Sequence, residues 1–167
     1  MSDTRIALVS GANRGIGLEI VKQLSRLGIM TALGTRDAAK GEAAADKLRS
    51  EGLEVPVVKL DVGDPASCRA AVADVVAMFG RIDVLVNNAG ILDGRPGTPE
   101  ASVETVSPQA VLQSFVTNTI GPLMLTHTAL PEMRRGGYGR IVNVSSGLGQ
   151  LSEMGSGFPA YRLSKAA

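Results

Sequence analysis

The sequence predicts an α/β protein built on a doubly wound parallel sheet. Three observations support this: short apolar runs alternate with segments of helical periodicity, the runs are apolar almost throughout, and glycines cluster where one segment passes into the next. Such strands are typical of parallel sheets covered by helices on both faces. Because crossovers between parallel strands are right-handed, an open doubly wound sheet is the natural closure. We expect one domain over residues 1–167, with strand order 3-2-1-4-5.

The first half of the chain contains three strand–helix pairs. The predicted strands are RIALVSG, IMTALGTR and EVPVVKLDV, and the predicted helices are GIGLEIVKQLSRLG, DAAKGEAAADKLRSEG and DPASCRAAVADVVAMFG. Asp37 and Asp64 are expected N-caps, because their carboxylates can accept the unpaired N–H groups of a first helical turn. Gly28, Gly52 and Gly80 follow the helices, where glycine commonly ends them.

The second half continues the alternation with longer connections. RIDVLVNNAG is the fourth strand, and a polar stretch with glycine and proline follows over residues 92–107. PQAVLQSFVTNTIGPLMLTHTALPEMRR predicts one long helix, which Pro122 is expected to bend. YGRIVNVSS is the fifth strand, GLGQLSEMGSGFP is a loop, and AYRLSKAA begins a sixth helix.

Composition excludes several classes of function. The formal net charge is +1, aromatic residues make up 3% of the chain and tryptophan is absent, so neither nucleic acid nor an anionic membrane is an expected partner. No apolar run reaches the roughly 20 residues that span a bilayer, and MSDTRIALVS is too short in apolar residues for a signal peptide. A cytoplasmic location is therefore expected. Cys68 is the single cysteine, and no His or Cys cluster has metal-ligand spacing, so no metal is expected.

A glycine-rich turn, SGANRGIG, joins the first strand to the first helix. Gly11, Gly15 and Gly17 have the spacing G-x-x-x-G-x-G. In dinucleotide-binding turns one glycine makes the turn, one lets the backbone approach a pyrophosphate, and one lets the helix pack on the strand. The helix N-terminus then offers N–H groups and a positive dipole end to the phosphates. We expect a dinucleotide cofactor at this turn.

The end of the second strand favours NADP(H) over NAD. NAD-specific sites place a carboxylate there for the ribose 2′-hydroxyl, whereas this chain has Thr35 followed by Arg36. Arg36, with Arg14 of the glycine turn, can bind a 2′-phosphate through its guanidinium. Two alternatives stay open: a shift of one residue would make Asp37 the ribose acid, and both arginines could be solvated surface charges.

The last segment of the chain contains Tyr161 and Lys165, four residues apart and so on one face of a helix. An ammonium close to a phenol favours the phenolate, which allows a tyrosine to exchange protons at neutral pH. Such a group can give a proton to a developing alkoxide or take one in the reverse direction.

Together these motifs carry a family resemblance. With SGANRGIG after the first strand, NNAG at Asn87–Gly90 after the fourth, and Tyr-x-x-x-Lys after the fifth, the chain resembles the short-chain dehydrogenase/reductase family, in particular its NADPH-dependent carbonyl reductases. The resemblance covers essentially all 167 residues in the family's order. It implies a Rossmann-type fold. Ser10 stands where the family usually has threonine, and it keeps the hydroxyl.

The resemblance implies a cofactor site and a catalytic set. Asp61 would meet the adenine edge, with a strand-end cap as its alternative role, and Asn88, Ala89 and Gly90 would line the adenosine ribose. The implied cofactor-binding residues are Gly11, Asn13, Arg14, Gly15, Ile16, Gly17, Arg36, Asp61, Val62, Asn88, Ala89, Gly90, Tyr161 and Lys165.

The implied catalytic residues are Asn118, Ser146, Tyr161 and Lys165. Ser146 would orient the substrate, while Ser145 is interpreted as a hydrogen bonder at the strand end. Asn118 would hold a water near Lys165, so that protons can pass to solvent. Asparagine is a poor helix former, so its place in an apolar helix needs a reason.

The function expected from this set is hydride transfer between NADP(H) and a carbonyl or alcohol substrate. The alternative is a module that senses NADP(H) without turnover, or an inactive fragment of such an enzyme. Family members usually continue to roughly 250 residues as one domain. We therefore expect that two further strands and the segment closing over the substrate lie beyond Ala167, and that the full-length protein is a homodimer or homotetramer.

Overall fold

The structure is a computed structural model that describes residues 4–94 and 97–167. One parallel sheet forms the centre of the fold. Its strands are β1 Ile6–Ser10, β2 Met30–Thr35, β3 Val57–Lys59, β4 Val84–Asn87 and β5 Arg140–Asn143. They pair in the order β3-β2-β1-β4-β5, and every pairing is parallel. The predicted fold class and strand order are confirmed.

In the described residues, six α-helices alternate with or follow these strands. Their bounds are α1 Gly15–Arg26, α2 Ala38–Ser50, α3 Pro65–Phe79, α4 Pro108–Phe115, α5 Gly121–Arg135 and α6 Pro159–Ala166. Asp37 accepts a hydrogen bond from the backbone N–H of Lys40, and Asp64 accepts one from Ala66, which confirms both predicted N-caps. Within the part of the chain that the structure describes, no helix is both long and apolar enough to cross a membrane.

Contacts divide the chain into two compact units. The first comprises the residues up to Ala89 together with Met124–Asn143, and it holds the sheet with α1, α2 and α3. The second comprises Gly90–Leu123 and Val144–Ala167, and it holds α4 and α6.

The core of the first unit lies between the sheet, α3 and the C-terminal part of α5. Leu8 and Leu85 come from neighbouring strands, and Leu125, Ala129 and Met133 repeat every four residues along α5. All five side chains are buried, as the near-continuous apolarity of the strands predicts. The core fixes the strand ends on which the glycine turn and the NNAG segment stand.

Cys68 is part of this core, and its environment makes stability depend on pH. Burial, and secondarily the carboxylates of Asp64 and Asp61, raise the pKa of the thiol from 9.0 to about 11. Between these values the unfolded chain loses the thiol proton while the native chain keeps it, so the free energy of unfolding should fall as pH rises. Urea unfolding at pH 8 and pH 10.5 measures this; Cys68→Ala should show a smaller fall. An equal fall in the free energy of unfolding of the two proteins between these pH values would contradict the prediction.

The long predicted helix is interrupted by a feature that the sequence analysis lacks. Residues Val116–Ile120 form a π-helical turn between α4 and α5, in place of the simple bend expected at Pro122. The α-helical donor for the carbonyl of Asn118 would be residue 122, and proline has no N–H. Single π-helical turns occur frequently at functional sites.

The remaining differences concern short elements. β3 and β5 are three and four residues long, shorter than their apolar runs, because each pairs with a strand on one side only within the described sheet. The predicted loop after β5 contains two 3₁₀ turns, Gly147–Gly149 and Leu151–Glu153. The sixth helix begins at Pro159, as proline at a first helical position favours.

Candidate active site

Two side chains hold the glycine turn against the NNAG segment in the first unit. The hydroxyl of Ser10 accepts hydrogen bonds from the backbone N–H groups of Asn88 and Ala89, both at 3.0 Å, and donates to the carbonyl of Val86 at 3.2 Å. The Asn88 amide donates to the carbonyls of Ser10 and Gly11 at 3.0 and 3.2 Å. Serine therefore supplies the hydroxyl needed here, and both amide hydrogens of Asn88 are used within the protein.

Two of the three glycines are required by close approaches. Gly11 has a φ of +64°, and a Cβ there would lie 2.7 Å from the Cα of Ala89. A Cβ at Gly17 would lie 2.4 Å from Nδ2 of Asn88 and 2.6 Å from the carbonyl oxygen of Gly11. These distances are far below van der Waals contact, so a side chain at either position would displace the turn.

The N-terminus of α1 is open. Arg14 stands at its N-cap position without a side-chain hydrogen bond to the first turn, and that turn contains no acidic residue. The next two helices are capped by Asp37 and Asp64. The first-turn N–H groups of α1 and its positive dipole end are therefore available to an anion. Ile16, in that turn, is 66% exposed.

The end of β2 presents arginine and no free carboxylate. Thr35 is buried, and its hydroxyl is hydrogen-bonded to the backbone of Asp37. The carboxylate of Asp37 caps α2 and lies 2.8 Å from Nζ of Lys40. The hydrogen bond from the Lys40 side chain lowers the pKa of Asp37 below its usual range. Arg14 and Arg36 are exposed, and neither has an ion-pair partner among residues 4–94 and 97–167.

Asp61 and Val62 follow β3. Asp61 is exposed, and one of its carboxylate oxygens accepts a hydrogen bond from the backbone N–H of Gly63 at 2.9 Å. This is the strand-end role considered as the alternative, and it leaves the second oxygen for another donor. Val62 is buried in the core, so only its backbone could meet a ligand. Asn13 is half-buried in the glycine turn.

In the second unit Asn118 is buried, with 6% of its surface exposed, and its side chain is fully hydrogen-bonded. Its Oδ1 accepts from the backbone N–H of Ile91 at 2.8 Å, and its Nδ2 donates to the carbonyl of Ile91 and to the hydroxyl of Ser164, both at 2.9 Å. The side chain thus fixes the segment after Gly90, which is itself exposed. Any water held by Asn118 would use its backbone carbonyl, whose α-helical partner is lost at Pro122.

Tyr161 and Lys165 lie on α6, with Nζ of Lys165 6.0 Å from the centre of the Tyr161 ring. Nζ donates to the carbonyl of Val144 at 2.9 Å, and burial lowers the pKa of Lys165. Tyr161 is half-buried, and within the described part of the chain its hydroxyl has no hydrogen-bond partner. The lysine is therefore positioned by the backbone, while the phenol can bond to a ligand.

Ser146 caps the first 3₁₀ turn after β5. Its hydroxyl oxygen accepts from the backbone N–H of Leu148 at 3.2 Å, which leaves the hydroxyl hydrogen for another acceptor such as a carbonyl oxygen. Ser145 is exposed. Of the two serines, Ser146 is the one whose side chain the fold positions.

Sequence reasoning missed two residues that connect the elements bearing the candidate catalytic residues of the second unit. Ser164 is buried, accepts from Asn118 and donates to the carbonyl of Tyr161 at 2.8 Å. The Thr119 hydroxyl donates to the Ser164 carbonyl at 2.7 Å. The available signal was a serine three residues after Tyr161 and directly before Lys165, on the same helix.

Comparisons with known proteins show the family of the chain. The family model described as short chain dehydrogenase matches residues 5–167. (+)-Neomenthol dehydrogenase of Arabidopsis thaliana is 36% identical, over 90% of this chain and 56% of that enzyme. A variant of actinorhodin polyketide ketoreductase solved with NADPH has a TM-score of 0.88 and 32% identity, over 98% of this chain and 60% of that one.

A third similar protein is a gluconate 5-dehydrogenase from Burkholderia cenocepacia, solved in complex with NADP and tartrate. Its TM-score is 0.86 and its identity 30%, over 99% of this chain and 62% of that one. The chain therefore spans less than two thirds of the length of each of these three proteins.

Proposed function

Because the chain belongs to the short-chain dehydrogenase family, we propose that it serves hydride transfer between NADP(H) and a carbonyl or alcohol substrate. One observation carries the proposal furthest. Asn118, Tyr161 and Lys165 are joined to one another through Ser164, which bonds to the first, to the carbonyl of the second, and precedes the third. A protein that only binds a dinucleotide has no need of such a set.

The first unit fits the dinucleotide. The open N-terminus of α1, and Gly15 where a Cβ would meet no atom within 4 Å, suit a pyrophosphate. Arg36 and Arg14 would hold the 2′-phosphate, and the exposed oxygen of Asp61 would meet the adenine edge. When bound, the nicotinamide supplies or accepts the hydride.

The second unit handles the proton. Tyr161 would give its hydroxyl proton to the oxygen of the substrate during reduction, and Ser146 would orient that oxygen through its hydroxyl hydrogen. Lys165, with Nζ 6.0 Å from the centre of the Tyr161 ring, would place its charge beside the phenol. Because burial lowers the pKa of Lys165, this ammonium gives up a proton more readily than an exposed one. A water on the Asn118 carbonyl would connect Lys165 to solvent.

Cofactor choice gives the first test of this proposal. We expect NADPH to bind at least tenfold more tightly than NADH, which is about 1.4 kcal/mol, because Thr35 and Arg36 replace the ribose acid. In Arg36→Ala the preference should largely disappear while NADH affinity stays unchanged. Titration of both cofactors by fluorescence measures the four affinities.

A matched control for this test is Arg134→Ala, which removes an exposed arginine of α5. It should leave both affinities unchanged, so that a general effect of net charge is separated from a local contact. Equal NADPH and NADH affinities in the unaltered protein would reject NADP specificity. NADPH binding without oxidation across a panel of ketones and aldehydes would favour the sensor hypothesis over the enzyme.

A further inference from the structure

The segment after Ser146 is fastened to the catalytic helix by one side chain. Arg162, next to Tyr161 on α6, donates from Nε to the carbonyl of Gly157 at 2.7 Å. Its Nη1 donates to the carbonyls of Leu148 and Glu153, at 3.3 and 3.2 Å. The three acceptors are spread over ten positions of the chain. We define the segment Gly147–Gly157 as the active-site loop.

Arg162 has no carboxylate partner among the residues that the structure describes, although it is half-buried. Backbone carbonyl dipoles alone receive its donors. A planar guanidinium with donors in a fixed fork suits several divergent acceptors, whereas an ammonium is a single point charge. The arrangement is therefore that of a loop clamp rather than of a surface ion pair.

Two further observations show how the two ends of the loop are held. A Cβ at Gly149 would lie 2.6 Å from the backbone carbon and oxygen of Lys165, so the first 3₁₀ turn of the loop lies directly against the end of the helix. At the other end of the loop, Phe158 has a φ of 55°, a left-handed conformation that is strained for a bulky residue. Such strain persists only where the surroundings impose it. Here the N–H of Phe158 bonds to the carbonyl of Ala101 at 3.0 Å.

We propose that Arg162 is a positioning residue for the reaction: its guanidinium fixes the active-site loop to α6 and so sets the position of Ser146 relative to Tyr161. Ser146 directly precedes the loop, and its hydroxyl accepts a hydrogen bond from the N–H of Leu148, whose carbonyl is one of the three acceptors. Loss of the clamp therefore loosens the loop that follows Ser146, whose hydroxyl would orient the substrate. The inference rests on the proposed function for its effect on turnover, but the clamp itself can be tested without turnover.

Hydrogen exchange tests the clamp. In Arg162→Met, which keeps an unbranched flexible side chain and removes every donor, peptides covering residues 147–158 should exchange about tenfold faster, because local opening becomes easier. Peptides covering α4 should be unchanged. Arg134→Met is the matched control and should leave the loop as it is. An unchanged exchange rate for the loop in Arg162→Met would overturn the proposal.

Steady-state kinetics of the unaltered protein and of Arg162→Met test the positioning role. Arg162→Met should lower kcat/KM for the carbonyl substrate about 10–100-fold, since a small misplacement of an orienting group has effects of that size. The affinity for NADPH and the shape of the pH profile should not change, because the phosphate site, Tyr161 and Lys165 are untouched. A shifted pH profile would instead assign Arg162 to the tuning of the acid and would overturn a purely positioning role.

Arg162→Lys separates the clamp from a simple charge effect. Lysine keeps the charge but cannot reach Gly157 and the two other acceptors at once, so loop exchange and kcat/KM should fall between those of the unaltered protein and Arg162→Met. Full rescue by lysine would mean that the charge binds the substrate, against the clamp. One further outcome separates the two proposals. If the loop exchanges faster in Arg162→Met but no protein, the unaltered one included, shows turnover, the clamp is supported and the proposed function is rejected.

Discussion

Replacement of Tyr161 by phenylalanine should lower kcat for carbonyl reduction by about 10²–10⁴-fold, the contribution typical of a positioned acid. The change removes one oxygen and leaves the ring, so α6 keeps its packing. NADPH affinity should stay within about twofold, because the phosphate contacts are elsewhere and lost transition-state contacts affect turnover more than binding. Initial rates of NADPH oxidation and a fluorescence titration of the cofactor measure the two effects.

The chain provides its own control, because it contains only two tyrosines. Tyr138 lies in the first unit with its ring beneath the guanidinium of Arg5, 3.7 Å from the ring centre. Tyr138→Phe keeps that stacking and should leave turnover unchanged. Turnover of Tyr161→Phe within about threefold of the unaltered protein would show that another group supplies the proton.

The substitution Gly11→Ala should cause the largest loss of stability among single methyl additions to the glycine turn. A left-handed backbone costs a residue other than glycine about 1–3 kcal/mol, and an overpacked contact adds about 1–3 kcal/mol. The neighbour of the added methyl is the Cα of Ala89, a backbone atom, so no side-chain rotation can relieve the contact. NADPH affinity should fall with stability, since the turn itself has to move.

Gly28→Ala separates the two costs. Gly28 follows α1 with a φ of +79°, and a Cβ there meets nothing within 4 Å. It should therefore show the backbone cost alone and leave NADPH affinity unchanged. Urea unfolding of the three proteins gives the difference. If Gly11→Ala is no less stable than Gly28→Ala, the close approach to Ala89 has no energetic weight.

Sequence alone was sufficient for the sheet. Each strand is an apolar run ending at a turn residue, and the parallel order follows from right-handed crossovers, so local and global signals agree. Helix starts were predictable for the same reason at Asp37 and Asp64, where the capping group is the residue itself. The limits of β3 could not be predicted. The strand Val57–Lys59 ends where its pairing with β2 ends, and strand pairing is not a local property of the sequence.

The sequence indicated which residues form the candidate site, and that set stays a prediction; the contacts of these residues within the protein could not be predicted. The assignment of Asn88 to the ribose stays a prediction, and the sequence did not indicate that both hydrogens of its amide bond to the glycine turn. Arg162 drew no interpretation, because an arginine on a short helix has the same sequence pattern whether it is solvated or bonded to carbonyls. Its acceptors lie in an irregular loop, whose path no periodicity encodes.

The π-helical turn had a signal that periodicity could not provide. Apolar residues over Pro108–Arg135 recur at helical spacing, which cannot distinguish one extra residue in a turn. The information lay in a pair of positions: Asn118, with its carbonyl, and Pro122, four residues later, without a donor. Proline was interpreted as a bend, whereas the chain forms a π-helical turn at Val116–Ile120 just before it.

The bonds of Ser10 and Asn88 have a thermodynamic consequence for ligand binding. Five hydrogen bonds from these two side chains and the backbone amides they bind tie the turn to the end of β4. The protein has thus met the entropic cost of ordering this turn during folding, before any dinucleotide arrives. Association then needs to restrain little besides the ligand and the arginine side chains, which is the condition of a preorganised receptor. Calorimetry of the unaltered protein should therefore show a smaller unfavourable entropy of NADPH binding than Ser10→Ala, in which the turn would order only as the ligand binds.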